Sequence, residues 1–276
     1  RPRFFWLICS FHLDSISILL SQQARCSQHP PKKGFGTFRP QNKGGTGSLG
    51  IYGARLSLVS ENNVANNNTV NVTKDFRDPN YTIDPTVIGG MAFGGEANGN
   101  TVIMSGDSVG GQIQGGRGEY ADNNTVILGE NAISSGTLAG GDGDSGASNN
   151  TVYLRDNAES HGYSLYGGHG DRVTNNKVFI QDNATVSSGT TLAGGYTYRD
   201  GAYSNSVSIS GGTVSGNVYG GRGIVAHDNH VVIEGGNLDN SAGMVAGGAS
   251  SEANGSPSDN SVTVIAGNVA QTIYGG

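Results

Sequence analysis

The chain is short of several features that stabilise many proteins of its size. Its only cysteines are Cys9 and Cys26, so everything after residue 26 lacks a thiol for a disulfide or a thiolate metal site. Charged residues make up only 14% of the chain, and the scarcity of Lys and Glu argues against long solvated helices. Hydrophobic residues, at 35%, are nevertheless too many for a disordered chain. With 47 glycines beside them, we predict short strands and tight turns.

Basic residues are rarest in the larger, second part of the chain. From Gly90 onward there are 6 Lys or Arg against 17 Asp or Glu, a net charge of 6 − 17 = −11. Nucleic-acid affinity comes mainly from basic groups that neutralise phosphates, so this composition excludes nucleic acid as a partner. An acidic exterior suits a soluble surface, or one that recruits divalent cations.

What the sequence does contain is a repeat. Seven times an aliphatic residue, one spacer and a pair of glycines recur, so the period is 25 to 28 residues. The first glycines of these pairs are at positions 115, 140, 167, 194, 220, 247 and 275. A second anchor is an Asn followed by apolar residues two and four positions later, as in Asn176, Val178 and Ile180. Residues two apart share one face of a strand, so we predict that Val178 and Ile180 point inward while Phe179 points outward.

These spacings predict an all-β fold, a right-handed parallel β-helix (β-solenoid) with about 26 residues per coil. Each coil has three short strands, and each strand pairs with its equivalent in the next coil, so Val178 should lie beside Val207. Asn residues at equivalent corners can form hydrogen-bonded ladders along the axis. The interchange of Asn, as in Asp156-Asn157, with Gly, as in Gly211-Gly212, predicts a left-handed backbone position.

The domain organisation follows from where the repeat is present. Residues 1–50 have no repeat phase, and we interpret them as a poorly ordered leader, linker or spurious segment. Residues 51–89 are interpreted as a cap-like region that leads into the repeats, and residues 90–276 as the β-helix. The chain stops on a repeat anchor without a polar cap, so we expect it to be a fragment truncated at its C-terminus.

The repeat style resembles a known family. The Asn-Asn-Thr-Val segments at 123–126 and 149–152, and Val-Tyr-Gly-Gly at 218–221, resemble the passenger regions of autotransporter-type adhesins of Gram-negative bacteria. The likeness covers residues 64–276. It implies a secreted, non-catalytic structural or adhesive stalk at the cell surface, attached to the outer membrane through a region absent from this chain.

The contact surface is expected in the stretches of variable length between each Gly pair and the next Asn, because insertions on one edge of a solenoid commonly bind partners. We predict these stretches to be loops and their partners to be host or bacterial surface glycans or proteins. The stretches are residues 142–149, 169–175, 196–205 and 249–260.

The alternative function is a β-helix polysaccharide lyase or glycosidase acting on an acidic glycan. Asp142, Asp171 and Asp200 lie at similar repeat phases and could align along the axis, as catalytic carboxylates would need to. Equivalent positions of any repeat align in the same way, however. We therefore favour a chain that is not an enzyme and has no catalytic residues.

Two further sequence patterns contain residues of the types that bind metal ions. The segment Gly140–Asp144 is similar to calcium-binding Gly/Asp nonapeptides, but it occurs once, and we favour an ordinary solvated turn. Four histidines of the repeat region share no recognisable ligand pattern with a neighbouring carboxylate, so we predict no metal or cofactor site. They are His161, His169, His227 and His230.

Overall fold

The described part of the chain is an all-β parallel solenoid. The structure is a computed structural model that describes residues 9–10, 18–21, 50–56, 62–74, 84–239 and 243–275. The predicted leader or linker at residues 1–50 therefore lies almost entirely outside the described residues. Within the described ranges there is no helix, and hence none that could cross a membrane. Neighbouring coils are about 26 residues apart, as in the pairing of Val152 with Val178, which confirms the predicted fold and period.

The strands form three sheets that run along the axis. The first sheet contains β1 (Cys9–Ser10), β2 (Ile18–Ser21), β4 (Thr69–Val72), β6 (Thr101–Met104), β9 (Thr125–Leu128), β12 (Thr151–Leu154), β16 (Lys177–Ile180), β20 (Ser206–Ile209), β24 (His230–Ile233) and β28 (Ser261–Val264). The second contains the two-residue strands β7 (Val109–Gly110), β10 (Ile133–Ser134), β13 (Glu159–Ser160), β17 (Thr185–Val186), β21 (Thr213–Val214), β25 (Asn237–Leu238) and β29 (Asn268–Val269).

The third sheet carries the Gly pairs. It contains β3 (Gly50–Leu56), β5 (Thr86–Glu96), β8 (Ile113–Tyr120), β11 (Leu138–Ser148), β14 (Ser164–His169), β15 (Arg172–Thr174), β18 (Thr191–Tyr196), β19 (Gly201–Tyr203), β22 (Asn217–Gly223), β23 (Val225–His227), β26 (Met244–Ser250), β27 (Ser256–Ser258) and β30 (Thr272–Tyr274). Pairing is parallel throughout, except that β2 is antiparallel to both β1 and β4.

The core lies between the three sheets and consists of stacked aliphatic columns. Val178 is fully buried and pairs directly with Val207 in the next coil, whereas Phe179 is partly exposed. The same alternation of buried and partly exposed residues recurs in β9, β12, β20 and β24. The predicted inward and outward faces of these strands are therefore confirmed.

A buried asparagine ladder runs beside this core. In each coil an Asn donates its backbone N–H and its side-chain N–H to the side-chain oxygen of the Asn in the next coil. For Asn150 and Asn176 these N···O distances are 3.0 and 2.9 Å. Because a buried amide is costly when unpaired, the ladder satisfies groups that the aliphatic core cannot. Its members are Asn68, Asn100, Asn124, Asn150, Asn176, Asn205, Asn229 and Asn260.

The Gly pairs are required by close contacts with this ladder and with the next coil. A Cβ at Gly168 would lie 2.5 Å from the side chain of Asn176, and a Cβ at Gly167 would lie 2.4 Å from the carbonyl oxygen of Gly194. Any larger residue would therefore displace either the buried amide or the neighbouring coil. The repeated Gly-Gly and Asn anchors are two halves of one contact.

The left-handed residues differ in position from the prediction. In the turn after β12 the positive φ, 57°, belongs to Asp156, and Asn157 follows it. The prediction for Asn157 was therefore wrong, whereas Gly212, with a φ of 76°, is left-handed as expected. The side-chain oxygen of Asp182 accepts the backbone N–H of Asp156 at 3.1 Å, so the acidic residue at this corner also ties consecutive coils together.

The predicted loops are partly strand: residues 142–148 are strand throughout, whereas residues 197–200 and 251–255 contain no strand. β11 continues past its Gly pair, and its register with β8 shifts between Gly143 and Gly146. The chain then returns toward the Asn ladder, and the returning strands β15, β19, β23 and β27 pair along the axis. They bury a separate cluster of Ala147, Val173 and Ala202. We call residues 142–148 and their equivalents the side arm; the expectation of loops was wrong for residues 142–148, and it is confirmed at the turns of residues 197–200 and 251–255.

Repeat strands also occur in residues 51–89. β3 pairs with β5, and β5 pairs with β8 in the register Val87 to Ile113 and Gly90 to Gly116. The residues 75–83, which belong to the predicted cap-like region, lie outside the described residues.

Candidate functional site

On the side of the third sheet away from the aliphatic core, polar and aromatic side chains interspersed with alanines form a strip whose inner column is buried. It consists of two columns, one on either side of the Gly pairs, that the strand register aligns along the axis. The inner column contains Gln114, Ala139, Tyr166, Ala193, Tyr219 and Ala246. The outer column, at the base of the side arm, contains Arg117, Asp142, His169, Tyr196, Arg222 and Ala249.

A single carboxylate organises the N-terminal part of this strip. Asp142 accepts a hydrogen bond from Gln114 Nε2 at 2.6 Å, lies 2.8 Å from His169 Nδ1 and faces Arg117 Nε at 3.7 Å. Burial alone raises the pKa of Asp142, but the hydrogen bond and charge of His169, helped by Arg117 and Gln114, outweigh it and leave the pKa below its ordinary value. Asp142 is therefore a paired, ionised group whose partners span three coils.

The central part of the strip is an aromatic stack. The rings of Tyr166 and Tyr196 lie 4.7 Å apart and within 10° of parallel, and Tyr166 also stacks on His169 at 5.7 Å. Burial raises the pKa of Tyr166 to about 12, so its hydroxyl stays protonated at neutral pH. Tyr198 packs edge-on against Tyr196 at 4.7 Å and is itself 64% exposed.

The C-terminal part of the strip is an arginine between two rings. The guanidinium carbon of Arg222 lies 5.4 Å from the Tyr196 ring centroid and 5.3 Å from that of Tyr219. Burial raises the pKa of Tyr219, and the charge of Arg222 opposes that rise. Cation–π contacts of this kind fix the plane of a guanidinium while leaving its N–H groups at the edge.

The three aspartates that the lyase or glycosidase hypothesis would use do not lie in one column. The register places His169, not a carboxylate, opposite Asp142 in the next coil. Asp171 lies further along the side arm, 3.6 Å from Arg199 Nη1, and Asp200 lies at a turn where its carbonyl accepts the N–H of Ile224. The expected alignment of Asp142, Asp171 and Asp200 was therefore wrong.

The Gly140–Asp144 segment is strand rather than a solvated turn. It lies within β11, where Asp142 joins the strip and Asp144 is exposed at the side arm. Partial burial and the charges of Asp142 and Glu119 raise the pKa of Asp144. Over the described residues, no group of three or more His, Cys, Asp or Glu is placed to hold a metal ion.

Each of the four histidines contacts a carboxylate. His161 lies 2.5 Å from Glu159, and His230 lies 3.3 Å from Asp228. The other two pairs are His169 with Asp142 and His227 with Asp259. Glu159 and Asp228 lie two residues before their histidines in the sequence, whereas Asp142 and Asp259 come from neighbouring coils, so sequence spacing could not reveal those two contacts.

Three of these histidines also contact a serine, and in His161 and His230 the serine and the carboxylate lie on different ring nitrogens, which creates a Ser-His-acid order. Ser261 Oγ lies 2.8 Å from His230 Nδ1, and Ser187 Oγ lies 2.8 Å from His161 Nδ1. Nucleophilic catalysis also needs N–H donors for an oxyanion. The backbone N–H groups of Ser187 and Ser261 are used in bonds to the preceding coil at 2.9 Å. We interpret both contacts as links between coils.

Sequence reasoning missed the strip as a unit. Its residues are the variable positions that flank the Gly pairs, and they attracted no motif because each coil contributes a different side chain. Aligning the coils on the Gly pairs would have placed Tyr166, Tyr196 and Arg222 in adjacent columns. The stacking itself depends on ring orientations that no spacing specifies.

Comparisons with protein-family models, with curated proteins and with solved structures found no significant match for this chain.

Proposed function

We propose that this chain is the non-catalytic stalk of a Gram-negative surface protein, similar to an autotransporter passenger, and that it adheres to surface glycans or proteins. The observation that carries the proposal is the uninterrupted Asn ladder from Asn68 to Asn260 beside a continuous aliphatic core. Such a solenoid is a rod that carries the strip of polar and aromatic side chains along its third sheet. That arrangement suits a molecule that projects a contact surface away from a cell.

The mechanics of the fold support a stalk. Every coil is joined to the next by strand pairing, by buried amide bonds and by stacked aliphatic residues, so the load along the axis is shared by many equivalent contacts. Carboxylate corners such as Asp156 with Asp182 add further links. A rod of this kind stays extended without a disulfide or a metal.

The ion pairs of the carboxylates weigh against the lyase or glycosidase alternative. Glycoside cleavage by the common mechanism needs two carboxyl groups on opposite sides of one bond, with different protonation states. Asp142 is held ionised by His169 and Arg117, and Asp171 faces Arg199. Asp142 is therefore not presented as a proton donor, and Asp171 is engaged in an ion pair.

An adhesion assay tests the proposal. Beads coated with the full chain should bind to host or bacterial cell surfaces more than beads coated with heat-denatured chain. Removal of surface glycans by mild oxidation should reduce this binding if glycans are the partner, and protease treatment should reduce it if proteins are. Equal binding of the folded and denatured chain would contradict the adhesive role.

A further inference from the structure

Arg222 is a preorganised guanidinium without an anionic partner. Its carbon lies over the rings of Tyr196 and Tyr219, and no carboxylate of the described residues lies within salt-bridge distance of it. Three other arginines each face an acid, in the pairs Arg117 with Asp142, Arg155 with Asp156 and Arg199 with Asp171. Contacts with the two rings restrict the guanidinium, and Arg222 is only partly buried, so its N–H donors can meet a ligand at little further cost in conformational entropy.

The chemistry of this edge selects a carboxylate. A planar guanidinium matches the two oxygens of a carboxylate in a bidentate contact, which is stronger and more specific than a contact with a neutral group. The surrounding repeat region carries a net charge of −11, with 6 basic and 17 acidic residues from Gly90 onward. That field repels a densely charged polyanion but tolerates a ligand with one negative charge.

An exposed ring lies beside the same stack. Tyr198 contacts Tyr196 edge-on at 4.7 Å, is 64% exposed, and thus shares a neighbour with Arg222. An exposed phenol ring offers an apolar surface to the C–H face of a sugar ring and a hydroxyl to its polar edge. The juxtaposition of one free guanidinium and one exposed ring is therefore suited to a carboxylated pyranose.

We propose that Arg222 and Tyr198 bind a terminal, singly charged carboxylated sugar of the uronic-acid type on a surface glycan. This inference rests on the proposed adhesive function and names its ligand class. Arg222 contacts the carboxylate, and Tyr198 packs against the sugar ring.

Calorimetric titration of the full chain tests the assignment. The probes are an oligosaccharide that ends in one uronic acid residue and the same oligosaccharide with that carboxyl reduced to an alcohol. The carboxylated probe should bind at least about tenfold more tightly, and Arg222→Gln should remove that difference. Tyr198→Ala should weaken binding of both probes.

Arg172→Gln is the matched control. Arg172 is also stacked on a tyrosine, 4.9 Å from the centroid of Tyr203, but it lies outside the strip. Its removal changes the net charge equally and should alter the affinity by less than about twofold. Arg222→Lys keeps the charge without the bidentate edge and should lose most of the preference for the carboxylate, which guards against a folding defect in Arg222→Gln.

Several results would overturn the inference. They are equal affinity for the two probes, equal losses in Arg222→Gln and Arg172→Gln, and equal affinity for an acidic peptide of the same charge. If the coated beads still adhere to cells after Arg222→Gln, this site is wrong and the adhesive stalk stands. If the unmodified chain adheres to no surface, both proposals fail.

Discussion

Replacing a core valine with aspartate tests the inward face of the solenoid at a single position. Val178 is fully buried between Val152 and Val207, so Val178→Asp removes apolar burial worth about 1.5–3 kcal/mol. The carboxyl must also become neutral in this environment, which costs about 4 kcal/mol at pH 7 for a group of ordinary pKa near 4. The expected loss in the free energy of unfolding is therefore about 5–7 kcal/mol.

The outward neighbour supplies the control. Phe179→Asp places the same residue in the same strand, but Phe179 is partly exposed and its main specific contact is a stack on Tyr153 at 4.9 Å. Loss of that stack costs about 0.5–1.5 kcal/mol, so this variant should lose no more than about 2 kcal/mol.

Urea unfolding followed by circular dichroism measures both variants. Because solenoid coils contact mainly their neighbours, hydrogen exchange in Val178→Asp should rise first in the coils spanning residues 150–220. Equal shifts of the urea midpoint for the two variants would refute the assignment of faces. A uniform loss of protection along the chain would refute the coil-by-coil description.

Three further predictions follow from other contacts. Asn176→Ala leaves two buried N–H donors of Asn150 unpaired and should cost about 2–5 kcal/mol. Asn183 donates to Asn157 at the surface, at 3.3 Å, so Asn183→Ala should cost under about 1 kcal/mol, and similar urea midpoints for the two variants would contradict the buried ladder. A disulfide can test the strand register in a background in which Cys9 and Cys26 are replaced by Ser. Thr151→Cys with Lys177→Cys should form a disulfide, because these paired residues of adjacent coils are about 4.8 Å apart. Thr125→Cys with Lys177→Cys, two coils apart, should not form one, and mass spectrometry after mild oxidation distinguishes the two variants. The pKa of Tyr166 is raised from 10.0 to about 12, so the contribution of its protonated hydroxyl to stability is complete below pH 10 and is lost as the pH rises toward 12. In urea unfolding at increasing pH, Tyr166→Phe should reduce this alkaline loss of stability. An unchanged dependence of stability on pH would contradict the buried hydroxyl.

The repeat predicts much of the fold because every coil is subject to the same physical constraints. The Asn176, Val178 and Ile180 spacing gives the inward face of β16, and its recurrence gives the parallel register with Val207. The spacing identifies the Gly pair and the Asn as separate anchors, but it does not predict their contact. That contact depends on the return of the chain from the side arm toward the Asn ladder. Sequence spacing likewise could not show that the stretch after Gly168 returns as a strand.

The strip was harder to predict for a different reason. Its geometry depends on which side chains happen to be adjacent across coils, as with Tyr196 over Tyr166 and Arg222 beyond it. The turn after β12 shows that the position of a left-handed residue is also difficult to predict from residue preferences. At Asp156, which has a positive φ, the backbone N–H donates to Asp182 and the carboxylate accepts the N–H of Glu130. The intrinsic preference for Asn157 did not reveal these links between coils.

Binding without turnover is the central functional claim, and one measurement tests it directly. The full chain is incubated with a uronate-containing oligosaccharide at saturating concentration, with and without added calcium, and the oligosaccharide is then analysed by mass spectrometry. The account predicts that the sugar is bound during the incubation and recovered with its mass unchanged. Release of shorter fragments, abolished by Asp142→Asn or Asp171→Asn, would contradict it and establish the chain as a polysaccharide-cleaving enzyme.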